Sequence, residues 1–184
     1  ARHSEIWYLP YSAERAEVEL WLDAHGVRVS HQWYGHAQLV RYAFPPAAPA
    51  APSVSLTARF EQGINLQGYT LATPSVAAGQ PILLTLYWQA EGKIAKPYKV
   101  FVHLLDGNEH LWGQQDMEPG NGLRPTNTWL PGQMVIDTYG ILALPAAPAG
   151  EYRLAVGWYN PADGVRLKLP DGADRLLIGP VQVQ

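Results

Sequence analysis

The 184-residue chain has no cysteine, which excludes disulfide cross-links, thiolate nucleophiles and cysteine-ligated zinc. Charge is scarce as well: Asp, Glu, Lys and Arg make up 16 % of the residues, with a net charge of −3, against roughly a quarter in ordinary globular chains. No run of Lys or Arg occurs, so the electrostatic footprint of a nucleic-acid binder is missing. No apolar stretch approaches the ~18 residues that a membrane-crossing helix needs. The opening ARHSEIWYLPY lacks the basic, apolar and small-residue order of a secretory signal. It begins abruptly at what reads as the edge of a strand, and suggests a piece of a longer protein that is itself soluble. Phenylalanine is rare too, with three Phe against seven Trp and ten Tyr. Trp and Tyr join a large apolar body to a polar edge, so the excess either fills a sheet core or equips a sheet face for a ligand.

What is present is mostly β pattern. In Thr128–Leu167, residues Met134, Ile136, Thr138, Gly140, Leu142 and Leu144 fall on one face of a long strand. Tyr152, Leu154, Val156 and Trp158 fall on one face of the next, and a further strand is expected after the Asn160–Gly164 turn. Alternation of period two over this length belongs to half-buried strands and not to a helix. Ile82, Leu84, Leu86 and Trp88, and likewise Val100, Val102 and Leu104, form two more apolar faces. Strands are expected at 55–60, 64–72, 82–90, 99–106, 111–116, 134–144, 152–159 and 176–183, with Gly, Pro and Asn turns between them. The fold class is mainly β, an antiparallel immunoglobulin-like or jelly-roll-like sandwich over 54–184.

The segment AFPPAAPAAPS sets a boundary, because four prolines among alanines favour extended polyproline II over helix or sheet. We take 45–53 as a linker. Before it, residues 1–44 read as a small strand-helix-strand-strand α/β unit. Ser12 is a suitable N-cap for a helix over 13–25 that Gly26 ends. Val18, Trp21, Leu22 and His25 supply its apolar stripe, while Glu14, Glu17 and Asp23 face away. About 40 residues barely close a core, so the unit is expected to pack on the sandwich or to be the tail of a larger layer.

Catalytic signatures are thin. There is no G-x-S-x-G elbow and no H-E-x-x-H pair, and the histidines at 3, 25, 31, 36, 103 and 110 lack ligand spacing. No metal site and no cofactor is assigned. Asp106-Gly107-Asn108-Glu109 reads either as a hairpin turn or as part of an oxygen-rich calcium loop. Asp106, Glu109, Asp116, Glu118 and Asp137 are the carboxylates from which a small hydrolase would draw its pair. Asp137 with Arg153 or Arg166 reads as a cross-strand ion pair.

The more coherent cluster is His103, Gln115, Asp116, Arg124 and Trp129, either a polar network tying the long 118–133 loop to the sheet or a ligand pocket roofed by Trp129. Trp112, Trp129 and Tyr159 would make a sugar-stacking platform if they shared an exposed face. The candidate ligand-binding residues are therefore Trp129, His103, Gln115, Asp116, Arg124, Trp112 and Tyr159.

The run VFVHLLDGNEHLWGQQDMEPGNGLRPTNTWLPGQMVIDTYGILALPAAPAGEYRLAVGWYNPADGVRL carries a family resemblance. Its marks are Phe101-Val102-His103-Leu104, Gln115-Asp116, Pro125-Thr126, Trp129-x-Pro131-Gly132, Asp137-x-Tyr139, Gly150-x-Tyr152, Gly157-x-Tyr159 and Arg166-Leu167. It resembles the C-terminal soluble region of large bacterial membrane proteins similar to dolichyl-phosphate-mannose protein mannosyltransferases, the multi-span GT-C glycosyltransferases. EIWYLPY, WLDAHG and VRVSHQWYGHAQLVRY are similar to the piece that precedes the sandwich there.

The resemblance implies an extracytoplasmic module, tethered through an upstream membrane-spanning region of the same parent protein. The catalytic acid of such enzymes lies near the first spanning helices, a segment this chain does not contain, so the implied role is a non-catalytic accessory domain. Its expected partners are glycan or a lipid-linked sugar, and no nucleic acid. The alternatives are a free-standing carbohydrate-binding module and, further off, the small hydrolase.

Overall fold

The computed structural model describes residues 5–10 and 17–184. Twelve strands and one α-helix are found among them: β1 (Glu5–Tyr8), α1 (Glu17–His25), β2 (Val27–Tyr34), β3 (Ala37–Ala43), β4 (Val54–Phe60), β5 (Ile64–Leu71), β6 (Ser75–Val76), β7 (Pro81–Ala90), β8 (Lys99–Leu105), β9 (Leu111–Met117), β10 (Met134–Leu142), β11 (Gly150–Tyr159) and β12 (Leu176–Val183). They form three sheets, ordered β1-β3-β2, β10-β7-β5-β4 and β6-β12-β11-β8-β9. Every pairing is antiparallel except that of β12 with the two-residue β6. A mainly β antiparallel sandwich preceded by a strand-helix-strand-strand unit is what the alternation predicts, and it is what the chain forms. No helix among the described residues is long and apolar enough to cross a membrane.

The four- and five-stranded sheets enclose the core. Ile82, Leu84, Leu86 and Trp88 of β7 face Val100, Val102 and Leu104 of β8 and Leu154, Val156 and Trp158 of β11, all fully buried. Trp158 meets Trp88 edge-to-face at 4.8 Å and Trp129 at 5.8 Å, the arrangement that the ring quadrupole favours. Aromatic rings pack among the aliphatic side chains that make up most of the interior.

Three expectations need correction. On β10 the phase of the alternation is reversed: Val135, Tyr139, Ile141 and then Ala143 face the core, while Met134 and Leu144 are exposed. The reason is that β10 is covered on both faces in its middle. A Cβ on Gly140 would lie 3.0 Å from Val29 Cγ2 and 3.2 Å from the Arg28 carbonyl, so β2 of the small unit rests on the outer face of β10. Neither face therefore has to be polar.

The helix docks as expected through Leu22, with Glu17 outward, but not along the rest of the expected stripe. Leu22 and Asp23 are buried, whereas Val18 and Trp21 are more than half exposed. Asp23 faces inward because it has partners there: Arg28 donates to both of its carboxylate oxygens (2.6 and 2.8 Å), and the Tyr42 hydroxyl donates at 2.8 Å. The expected Ser12 cap and helix start lie outside the described residues. Finally, the strand expected after Asn160–Gly164 is reduced to a single bridge between Tyr159 and Arg166. Val165 donates to Asp163 Oδ1 and Asn160 to Asp163 Oδ2, which keeps the segment in a turn.

Between the units, residues 44–53 contain no helix or strand. The Tyr87 hydroxyl of β7 donates to the Pro49 carbonyl at 2.8 Å, fastening this proline-rich segment to the sheet.

Candidate ligand groove

Edge strands of all three sheets meet at one place. β2, β9 and β10 each end a sheet. β9 closes onto the end of β10 because residue 113 is glycine: a Cβ there would stand 2.4 Å from the Leu142 carbonyl oxygen. The Leu144 amide, just beyond β10, donates to the Trp112 carbonyl at 2.8 Å. With β2 held over Gly140, the three edges leave a groove of ≈ 390 Å³. Its apolar walls are Val29, Leu111, Leu142 and Leu144, and its polar groups are Ser30, His31, Gln114 and Gln115. Leu111 and Leu144 are 45 % and 44 % exposed, so the apolar walls open to solvent. No carboxylate among the described residues lines the groove. Amide side chains offer a donor and an acceptor side by side, which matches neighbouring hydroxyls, and the leucines match an aliphatic segment.

Of the sequence candidates, Gln115 lies in this groove, opposite Val102 in the β8–β9 pairing. His103, Asp116 and Tyr159 come together elsewhere, on the outer face of the five-stranded sheet. His103 Nε2 is 3.3 Å from Asp116 Oδ1, but the approach is not aligned for a hydrogen bond, and Nε2 is buried without a hydrogen-bond partner. Burial, then the charge of Asp116 and a hydrogen bond to it, push the Tyr159 phenol above its ordinary range.

Phe101 packs beside both rings, 4.9 Å from His103 and 6.5 Å from Tyr159. The Arg166 guanidinium sits 4.3 Å over the Phe101 ring while its Nη1 donates to Asp174 at 3.0 Å. Gly157 makes room, since a Cβ there would lie 2.4 Å from the Phe101 ring. The result is a layer of tilted rings capped by a guanidinium. Asp116 also edges a smaller hollow of ≈ 270 Å³ shared with Arg28, Lys99, Glu118 and Asn121.

The remaining candidates are structural in their contacts. Trp129 does not roof a pocket: it is 5 % exposed, packed in the core, with its indole N–H donating to the Arg124 carbonyl at 2.9 Å. Trp112 is half-buried against the core and donates to Asp106 Oδ2 at 3.0 Å. A platform of Trp112, Trp129 and Tyr159 is therefore not formed, because Trp129 is an interior residue. Arg124 Nη1 donates to the Ile136 carbonyl at 3.1 Å, bracing the loop on β10.

Asp137 pairs with neither Arg153 nor Arg166. It is buried, its Oδ1 accepts the Gly120 amide at 3.0 Å, and its Oδ2 accepts the Tyr139 hydroxyl in a short contact. Burial pushes its carboxyl above the usual range, against the pull of Tyr139, Gly120 and Arg124. Arg166 is taken by Asp174, and Arg153 lies 3.8 Å from Glu151.

Asp106-Gly107-Asn108-Glu109 is a hairpin turn. Asp106 Oδ1 accepts the Asn108 and His110 amides, and Oδ2 accepts from Trp112 with His110 Nδ1 at 3.2 Å. These bonds, that of Trp112 foremost, hold its carboxyl down at about 2. No group of three or more His, Asp or Glu converges among the described residues in a way that would hold a metal ion.

Ser30, His31, Gln114 and the leucine walls escape sequence reasoning. Each is an ordinary edge-strand residue, and the groove exists only because segments some 80 to 110 positions apart meet.

No family model matches the chain, and no curated protein does. Among solved structures, the chain is similar to a Niemann-Pick type C2 protein from the Japanese carpenter ant, at 10 % identity and a TM-score of 0.37, over 73 % of this chain and 98 % of that one. A likeness this distant says nothing about a ligand.

Proposed function

We propose that this chain is a binding module that takes an amphipathic, sugar-bearing ligand of the lipid-linked saccharide type in the β2–β9–β10 groove. In the setting that the sequence resemblance implies, it serves as a non-catalytic extracytoplasmic accessory domain of a membrane glycosyltransferase-like protein. The observation that carries the reading is the pairing of aliphatic walls with Gln114, Gln115 and His31 in one open groove. Apolar walls with a few placed polar groups, at a junction of units, are what small-ligand sites generally look like. Of the carboxylates that the hydrolase alternative would draw on, Asp106 is held by four donors, Glu109 by Arg175 and Asp137 in the interior, while Asp116 and Glu118 edge the smaller hollow and not this groove.

The test is a titration followed by amide shifts, using decyl maltoside below its critical micelle concentration, maltose alone, and decylphosphocholine. Decyl maltoside is expected to saturate with shifts centred on Gln114 and Gln115, and the other two to bind more weakly. Gln115→Ala should weaken decyl maltoside by about fivefold, the value of roughly one hydrogen bond, and Leu144→Asp by more. Absence of saturable binding, or binding indifferent to Leu144→Asp, removes this reading of the groove. The membrane setting is tested separately, by whether the encoding sequence upstream specifies several spanning helices.

A further inference from the structure

One wall of the groove belongs to the small unit, and one unusual turn of the sandwich grips that unit. Gly120, Asn121 and Gly122 all adopt left-handed backbone, with φ of 64°, 55° and 85°. Among residues with a side chain, Asn tolerates this region best. The turn presents the Asn121 amide to the small unit, where Nδ2 donates to the Asp23 carbonyl at 2.8 Å and to the Gly26 carbonyl at 3.1 Å. These carbonyls close α1, at the end where a helix leaves acceptors without intrahelical partners. Asn121 thus caps the helix from about a hundred residues away.

The other side of the turn is fixed to β10. Asp137 Oδ1 accepts the Gly120 amide, and Arg124 Nη1 donates to the Ile136 carbonyl. Residues Val29 to His31, which begin three positions after Gly26, are the β2 wall of the groove.

We infer that Asn121 is the positioning residue of the groove, a clasp through which β10 sets the distance of the β2 wall from β9. As a statement about ligand affinity, this rests on the groove reading above; as a statement about wall position, it does not.

Asn121→Ala removes both donors. It is expected to raise amide exchange across 27–34 while exchange in β7 and β11 stays unchanged, and to weaken decyl maltoside by about five- to tenfold, the effect of one or two such bonds. A single cysteine introduced by Ser30→Cys, which faces the groove, should label faster with a maleimide in the Asn121→Ala background, with no ligand present.

A loss caused merely by general destabilisation would raise exchange in β7 and β11 as well.

Unchanged exchange across 27–34 together with an unchanged Ser30→Cys labelling rate overturns the clasp. Faster exchange with undiminished decyl maltoside affinity overturns its role in positioning the groove. If decyl maltoside fails to bind the unaltered protein, the ligand reading falls, and the exchange and labelling results still decide the clasp.

Discussion

The sandwich and the small unit that precedes it treat the same residue types in opposite ways. The sandwich hides Trp88, Trp129 and Trp158; the small unit leaves Trp7, Trp21 and Trp33 more than half exposed. The sandwich core is one large apolar cluster, while that of the small unit is Leu22, Val40 and Tyr42 with Tyr8 and Phe44 against it. At the centre of the small unit stands an ionic group instead: Asp23 with Arg28 and the Tyr42 hydroxyl, and Glu19 reaching Arg28 at 3.0 Å. Burial, and next its bond to Asp23, push the Tyr42 phenol above its ordinary range. A unit with so small an apolar cluster, with three tryptophans exposed and a charged group at its centre, gains little from the hydrophobic effect on its own. It is held by hydrogen-bond geometry and by the sandwich beneath it, through Gly140 and Asn121.

The comparison is broken most directly by swapping the same deletion between the two regions. Trp158→Ala empties the middle of a cluster of three edge-to-face tryptophans and is expected to lower stability by about 3–5 kcal/mol. Trp33→Ala removes an exposed ring and is expected to stay within about 0.5 kcal/mol. Urea unfolding followed by far-ultraviolet circular dichroism measures both. A loss at Trp33 as large as that at Trp158 would mean that the exposed ring is covered in solution.

Next in size is the ionic centre. Arg28→Met leaves the Asp23 carboxylate, which has no exposed side-chain surface, with Tyr42 as its remaining named donor. Removing one partner of a buried ion pair costs about 3 kcal/mol. The loss should be confined to the small unit, appearing in exchange of β2 and β3 amides before those of β7. Adding Asp23→Asn to Arg28→Met should recover part of it. No recovery would show that Arg28 acts through its contact with the Tyr42 ring, 5.7 Å away, and not through charge.

The same contrast explains what could be read from the sequence. The faces of β7, β8 and β11 were legible because the core side of each carries an unbroken series of large apolar residues, even where the middle of the outer side is covered too, as at Tyr87, Phe101 and Ala155. β10 misled because it has a core on one side and β2 on the other. Asp137, the polar residue on its core face, is buried with its partners supplied by Tyr139 and the Gly120 amide. The helix misled for the matching reason: Trp21 marks an apolar stripe, yet the side that docks is set by Asp23 and its hydrogen bonds. In the groove only Gln115 was singled out, because pairing of β8 with β9 is local. Ser30, His31 and Gln114 carry no signal that precedes the meeting of three sheet edges.

The smallest expected effect concerns two carboxylates with opposite settings. Asp106 sits in the β8–β9 hairpin with its carboxyl at about 2, held down first by the Trp112 indole and then by backbone amides. Asp137 sits under the 118–124 loop with its carboxyl raised, burial outweighing Tyr139, Gly120 and Arg124. A carboxyl lowered on folding contributes stability that is complete above its unfolded value, near 3.9, and is lost as pH falls through 2. A carboxyl raised on folding does the reverse: its contribution is complete below about 3.9 and is lost as pH rises through the folded value. Asp106→Asn should therefore flatten the acid side of a melting-temperature profile between about pH 4 and 2. Asp137→Asn should flatten a decline that begins near pH 4 and runs upward, and should leave the acid side as it was. Because Asp137 anchors the turn that carries Asn121, its titration should also appear in amide exchange of β2, whereas that of Asp106 should not. If both substitutions alter the same limb, the buried carboxylate is ionised as easily as the half-buried one, and the claim that the clasp rests on a desolvated group fails with it.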